Sequence, residues 1–172
     1  MTLSETDPTR EPYSVLTFEA RCNDCEWRFP CPLLGPGAYG EFVAVGSKGS
    51  VYAYLNSLEG LGWAAVDHAF KQAASSLIQR MFGPSSRSSC FQWVVGRCLD
   101  TLQDQRLSIV SGPICPKCLS QAVRYGDAHP LAPIALPRAS FAGFLQLNPA
   151  GRVSQVRALR SEWQATARAG TV

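Results

Sequence analysis

Apolar and polar positions alternate early in the chain. In "YSVLTFEAR" (13–21) β-branched and aromatic residues recur every second position, which predicts a strand. "EWRFP" (26–30) reads as the returning strand. "EFVAVGSKGSVYAYL" (41–55) is two apolar runs around Gly-Ser-Lys-Gly, the signature of a hairpin. Tyr52 and Tyr54 fall on one face of it, a face that is either buried or free to bind. "RLSIVSG" (106–112) and "SQAVRYG" (120–126) predict two further strands.

Between these segments the period lengthens. Trp63, Val66, Phe70, Ala74, Leu77 and Met81 share one face at about 100° per residue, and His68, Lys71, Gln72, Ser75 and Gln79 lie opposite. Asn56 and Glu59 have the spacing of a capping box, and Gly83-Pro84 ends the helix. A second helix is expected from about Ser86 to Gln103, with Phe91, Val94, Val95, Cys98 and Leu102 as its apolar stripe. Pro130, Pro133 and Pro137 exclude a long helix or a central strand from most of 128–147. In the last segment Val156, Leu159, Trp163 and Ala167 line one helical face, with Arg157, Arg160 and Arg168 to one side.

These elements predict an α+β fold: a small antiparallel sheet of hairpins with two or three packed helices. The expected organisation is a flexible tail (1–12), a single α+β domain (13–147) with a helical insertion, and a C-terminal helix (148–172). With 172 residues, 46% of them hydrophobic and 17% charged, the chain can build a packed core without disulfides. No basic start followed by an apolar run opens the sequence, and no apolar stretch is long enough to cross a bilayer. The expectation is a cytoplasmic protein with no membrane partner. The excess of arginine over lysine and the frequent alanine point to a GC-rich bacterial genome.

In a reducing compartment seven cysteines are better explained by metal or buried thiols than by disulfides. Two pairs share a spacing: Cys22 and Cys25 in "CNDC", and Cys115 and Cys118 in "CPKC". Each pair sits between two strand-like segments, so each turn can present two sulfurs on one side. Two such turns face to face supply the four ligands of a closed tetrahedral site. Closing the intervening 26–114 segment, rather than a ribbon loop of about 15 residues, adds only about 2 kcal/mol. A structural zinc contributes an apparent ~10–16 kcal/mol in finger peptides. The layout resembles a split zinc ribbon built from two zinc knuckles, confined to the residues around each turn. The resemblance implies a structural Zn2+ held by Cys22, Cys25, Cys115 and Cys118. Glycine often follows the second cysteine of such a knuckle; here Glu26 and Leu119 stand there. Cys31 offers either a substitute ligand or a small apolar residue near the site, and the second is expected. Cys98 lies on a helical stripe and belongs to the core.

Other motifs carry less. "GPGAYG" (35–40) has the Gly-x-Gly-x-x-Gly pattern but is followed by a hairpin strand instead of a helix, and "GSKGS" lacks P-loop spacing. His68 falls on a polar helical face. His129 is expected in a turn beside Asp127, and Asp100 and Asp104 on a solvated helical face. No nucleophile elbow and no carboxylate pair assembles a catalytic set. A thiol redox role for Cys115 and Cys118 would need a helix opening on the pair; "CLSQAVRYGD" reads as a strand. The net charge of +3 and the spread of the C-terminal arginines do not match a dedicated nucleic-acid binder.

The resulting expectation is a non-catalytic bacterial protein-binding domain stabilised by zinc. Its partner is another protein, such as a toxin neutralised by an immunity protein, or the client of an adaptor. The alternative is a nucleic-acid-binding zinc-ribbon protein.

Overall fold

The computed structural model describes residues 11–73, 84–109 and 112–168. Its strands are β1 (Tyr13–Cys22), β2 (Arg28–Leu33), β3 (Glu41–Gly46), β4 (Tyr52–Asn56), β5 (Leu107–Ser108), β6 (Val123–Pro130) and β7 (Ile134–Leu136). Its helices are α1 (Leu61–Gln72), α2 (Pro84–Cys98), α3 (Ala142–Gln146) and α4 (Pro149–Arg168). The architecture is α+β, with two small antiparallel sheets. One has the order β2–β1–β6, with β7 also paired to β1; the other has the order β4–β3–β5.

The layers follow from residue alternation. On β3 and β4, Phe42, Ala44, Ala53 and Leu55 pack with the helices, and Val43, Tyr52 and Tyr54 face the first sheet. The second sheet is therefore covered on both faces, which is why its strands read as near-continuous apolar runs. Its helical side is the main core: Val66 and Phe70 of α1, Val94 and Val95 of α2, and Val156 and Trp163 of α4 are all buried there. The two sheets are tied by 137–139, where the Tyr54 N–H donates to the Pro137 carbonyl and the Ala139 N–H to the Tyr54 carbonyl.

β1 changes phase along its length. Val15 and Thr17 are buried at one end, then Ala20 and Cys22 at the other, a slip of one residue. The slip coincides with a register shift against β6 between Phe18 and Ala20. Such an irregularity re-aims the strand, and here it turns the Cys22 side chain into the interior. Among the described residues β2 pairs with β1 alone, with Pro30 opposite Glu19 and Pro32 opposite Thr17.

Several boundaries depart from the sequence reading. No capping box forms: α1 starts after Gly60 (φ 82°) with no side-chain cap, the Asn56 side-chain Oδ1 accepts from the Leu58 N–H, and Glu59 pairs with Arg138. The α1 helix ends at Gln72; the expected continuation through Ala74, Leu77 and Met81 to Gly83 lies outside the described residues. The α2 helix stops at Cys98, short of Gln103. Gln103 and Asp104 take positive φ in a tight turn, and the Asp100 carboxylate accepts from the Ala142 and Gly143 N–H groups at the start of α3. Asp100 and Asp104 thus share no helical face. His129 lies in β6, not in a turn. Arg160 does not flank the apolar stripe of α4. It is only 8% exposed, with its guanidinium 4.7 Å from the Phe70 ring. The exposed position of His68 is as expected.

Candidate metal centre

The two Cys-x-x-Cys turns are built alike. In the first, the Cys22 N–H donates to the Trp27 carbonyl and the Glu26 N–H to the Cys22 carbonyl. In the second, the Cys115 N–H donates to the Ser120 carbonyl and the Leu119 N–H to the Cys115 carbonyl. The residue after the second cysteine is left-handed in both: Glu26 has φ 57° and Leu119 has φ 62°. The positions where glycine is usual thus adopt the glycine conformation without glycine. Each costs roughly 1–2 kcal/mol for an L-residue.

The turns are joined directly. The Asn23 N–H donates to the Ala122 carbonyl at 2.7 Å, and the Ser120 hydroxyl to the Asp24 carboxylate at 2.5 Å. The β3–β4 hairpin braces the second turn from behind. A Cβ at Gly49, whose φ is +70°, would stand 2.3 Å from the Ile114 carbonyl oxygen, one residue before Cys115.

This arrangement brings Cys22, Cys25, Cys115 and Cys118 together, with all four sulfurs within 4.8 Å of one another. Cys22 and Cys118 are 3.5 Å apart and Cys25 and Cys115 are 3.6 Å apart, in each case across the two turns. Metal–sulfur bonds of ~2.3 Å in a tetrahedron put the sulfurs about 3.8 Å apart. A disulfide needs ~2.05 Å, and all seven cysteines are free. Cys22 and Cys115 are buried, Cys25 is half-buried and Cys118 is exposed.

The thiol electrostatics fit a cation. Burial alone would raise the Cys22 thiol. The backbone N–H groups of Cys25 and Asp24, with the neighbouring Cys118 and Cys25, outweigh it and bring the thiol down to about 7. At Cys118 the Ser120 N–H favours the thiolate, but Cys25, Cys22 and Cys115 crowd the sulfur and, with partial desolvation at this exposed position, raise the thiol to about 12. The Trp27 N–H plays the same part at Cys25, which is nevertheless raised by burial and by Cys115 and Cys22. Cys22 ionises readily whereas Cys25 and Cys118 resist, because thiolates this close repel. A cation at the centre removes the repulsion, and the N–H donors are already in place. The four residues could hold one metal ion with no open coordination position.

Cys31 is not part of this group. It is buried in the same apolar cluster, with its sulfur 3.8 Å from the Tyr125 hydroxyl, in agreement with the small-apolar reading. Cys98 and Cys90 are buried in the helical core. No helix opens on Cys115 and Cys118.

Two side chains at this end escaped the sequence reading. Trp27 is 48% exposed and Leu119 is 55% exposed, one on each turn, and the Lys117 ammonium lies 5.2 Å from the Trp27 ring. The available signal was a large apolar residue where a knuckle usually has glycine. No helix among the described residues is long and apolar enough to cross a membrane. No family model matches the chain, and neither a curated protein nor a solved structure does.

Proposed function

We propose that the chain is a non-catalytic protein-binding domain of the bacterial cytoplasm, stapled by a structural zinc, and that it serves as an immunity (toxin-neutralising) or adaptor protein. The convergence of four sulfurs from two matched turns carries the zinc part of this reading. Zinc suits a four-thiolate tetrahedron, and a site closed by four protein ligands leaves no position for substrate. Elemental analysis of purified protein should return one zinc per chain. Iron in the same tetrahedron would absorb in the visible range, so a colourless sample with stoichiometric zinc separates the two.

The protein-binding part is supported by Trp27 and Leu119. A left-handed leucine that stays exposed costs stability and gains no core contact, so its benefit is expected outside the folded monomer. Leu119→Gly should therefore raise the Tm of the zinc-loaded protein by roughly 2 °C. In affinity capture from host lysate, Trp27→Ala and Leu119→Gly should each retain less of the partner than wild type. Equal capture by all three proteins would remove this surface from the account.

The nucleic-acid reading has one feature in its favour. Arg28, Arg21 and Arg124 stand in register across β2, β1 and β6, and like charges placed opposite one another are unfavourable. Two of the three are balanced, Arg21 by Glu26 at 2.7 Å and Arg28 by Glu19 at 3.1 Å. In the C-terminal helix Arg160 is buried and Arg152 donates to the Leu145 carbonyl. Among the described residues, these four arginines are thereby engaged within the fold. If the protein binds DNA or RNA at low salt with an affinity that falls steeply as salt rises, this second reading replaces the first.

A further inference from the structure

A cleft of about 270 Å³ separates the edge of the first sheet from the second. None of the four clustered cysteines lines it, though Cys31 and Tyr52 also belong to the apolar cluster that contains Cys22 and Cys115. Leu33 of β2 and Val43 and Val45 of β3 form apolar walls, and Cys31, Tyr52 and Tyr125 line it as well. Leu33 and Tyr125 remain part-exposed, so the cleft is reachable from solvent. An apolar cavity of ~150 Å³ takes up benzene, and this one has room for a ring system with a short side chain.

The polar groups narrow the chemistry. Cys31 lies between two phenols, with its sulfur 3.8 Å from the Tyr125 hydroxyl and Tyr52 also in contact. Burial raises the Cys31 thiol and both phenols, so all three stay neutral at neutral pH. Sulfur is a weak acceptor, which leaves the Tyr125 hydroxyl available for a better partner. Glu41 is the one carboxylate among the described residues lining the cleft, and no described Lys, Arg or His lines it. The Glu41 Oε1 accepts from the Tyr54 hydroxyl at 2.5 Å and the Tyr13 hydroxyl at 3.5 Å. These two phenol rings stack with centroids 3.7 Å apart and fix the carboxylate. Among the described residues no donor engages Oε2. An anionic ligand would meet Glu41 with no cation among the described lining residues to offset it; a cation would pair with it in a partly desolvated setting.

We propose that this cleft binds a small cationic aromatic molecule of the arylalkylamine class, with its ring between Leu33, Val43 and Val45 and its ammonium on Glu41. The site does not rest on the protein-partner reading; its Cys31, Leu33 and Tyr125 belong to the sheet that the metal centre closes.

The test uses the zinc-loaded full chain and three probes of one shape: tryptamine (cation), indole (neutral) and indole-3-acetate (anion). Amide shifts in 15N spectra are followed during each titration. Tryptamine should move the amides of 31, 33–34, 41–45 and 125, and bind at least fivefold more tightly than indole. Indole-3-acetate should bind most weakly. Glu41→Gln, which keeps an acceptor for both tyrosines, should erase the advantage of tryptamine and leave indole unchanged. Val43→Trp should fill the cleft and abolish binding of both. Unperturbed spectra, shifts confined to other surfaces, or indole-3-acetate binding as tightly as tryptamine would each overturn the proposal. Spectral dispersion of both variants shows that they remain folded, so a lost titration reports the cleft.

Discussion

Cys115→Ser is expected to abolish stoichiometric metal binding and to disorder the first sheet while sparing the helices. The expectation follows from how the core is divided. Cys22, Cys25, Cys31 and Cys115 form one apolar group with Ala20, Phe29, Tyr52 and Val123, whereas the helices pack with β3 and β4 in a separate and larger group. The first group is small and is closed by residues 90 and 96 positions apart in sequence. An apparent metal contribution of ~10–16 kcal/mol is as large as the whole stability of a typical domain, ~5–15 kcal/mol. Without metal, β1, β2 and β6 have little to hold them to the second sheet at this end. Hydrogen exchange should report lost protection in these strands and near-native protection in α1, α2 and α4. A chelator added to wild type should give the same pattern. Cys98→Ser is the control, since Cys98 lies in the helical core, and it should keep full metal content. If Cys115→Ser retains its metal and its melting temperature, the four-sulfur centre is not what holds this end together.

Gly62→Ala should be the most damaging small change in the helical half. Alanine is ordinarily the better helix residue, by roughly 0.5–1 kcal/mol. Gly62, however, is buried in the first turn of α1, and a Cβ there would stand 2.2 Å from Cδ2 and 2.5 Å from Cγ of Phe141. Phe141 is itself buried in the main core just before α3, so the ring cannot swing clear without displacing its neighbours. Overpacking of this kind costs about 1–3 kcal/mol, or a fall in Tm of roughly 5–10 °C at the upper end for a chain of this size. Calorimetry on four proteins tests it: wild type, Gly62→Ala, Phe141→Leu and the double variant. The alanine should cost markedly less in the Phe141→Leu background than beside the native ring. Equal costs in the two backgrounds would show that the contact does not limit the packing.

The strands were the most legible elements. Alternation in 13–21 and the Gly-Ser-Lys-Gly turn are local signals, and both produced the expected pairings. The cysteine constellation was legible because a matched spacing in two strand-flanked turns is a strong constraint, even across a long insertion. Other features depend on contacts that no window of sequence contains. Asn56 and Glu59 have capping-box spacing, but Arg138 takes Glu59. Asp100 looks like a solvated helical residue until the start of α3 comes within reach of its carboxylate. Arg160 reads as a flank because arginine is usually exposed; the Phe70 ring accepts its guanidinium inside. The cleft was invisible for the same reason. Cys31, Glu41, Tyr52 and Tyr125 come from four strands, and only the packing of the two sheets gathers them.

The prolines of β2 bear on how this molecule meets others. In an antiparallel ladder, residues that do not exchange hydrogen bonds with the neighbour turn their N–H and C=O outward. Proline cannot donate, so Pro30 and Pro32, opposite Glu19 and Thr17, occupy such outward positions on a free margin. That margin offers carbonyls at 30 and 32 but no amide protons at those two positions to complete a ladder. Two missing donors in a six-residue strand blunt this edge against pairing with a second molecule, and so against growth into filaments or strand-swapped dimers.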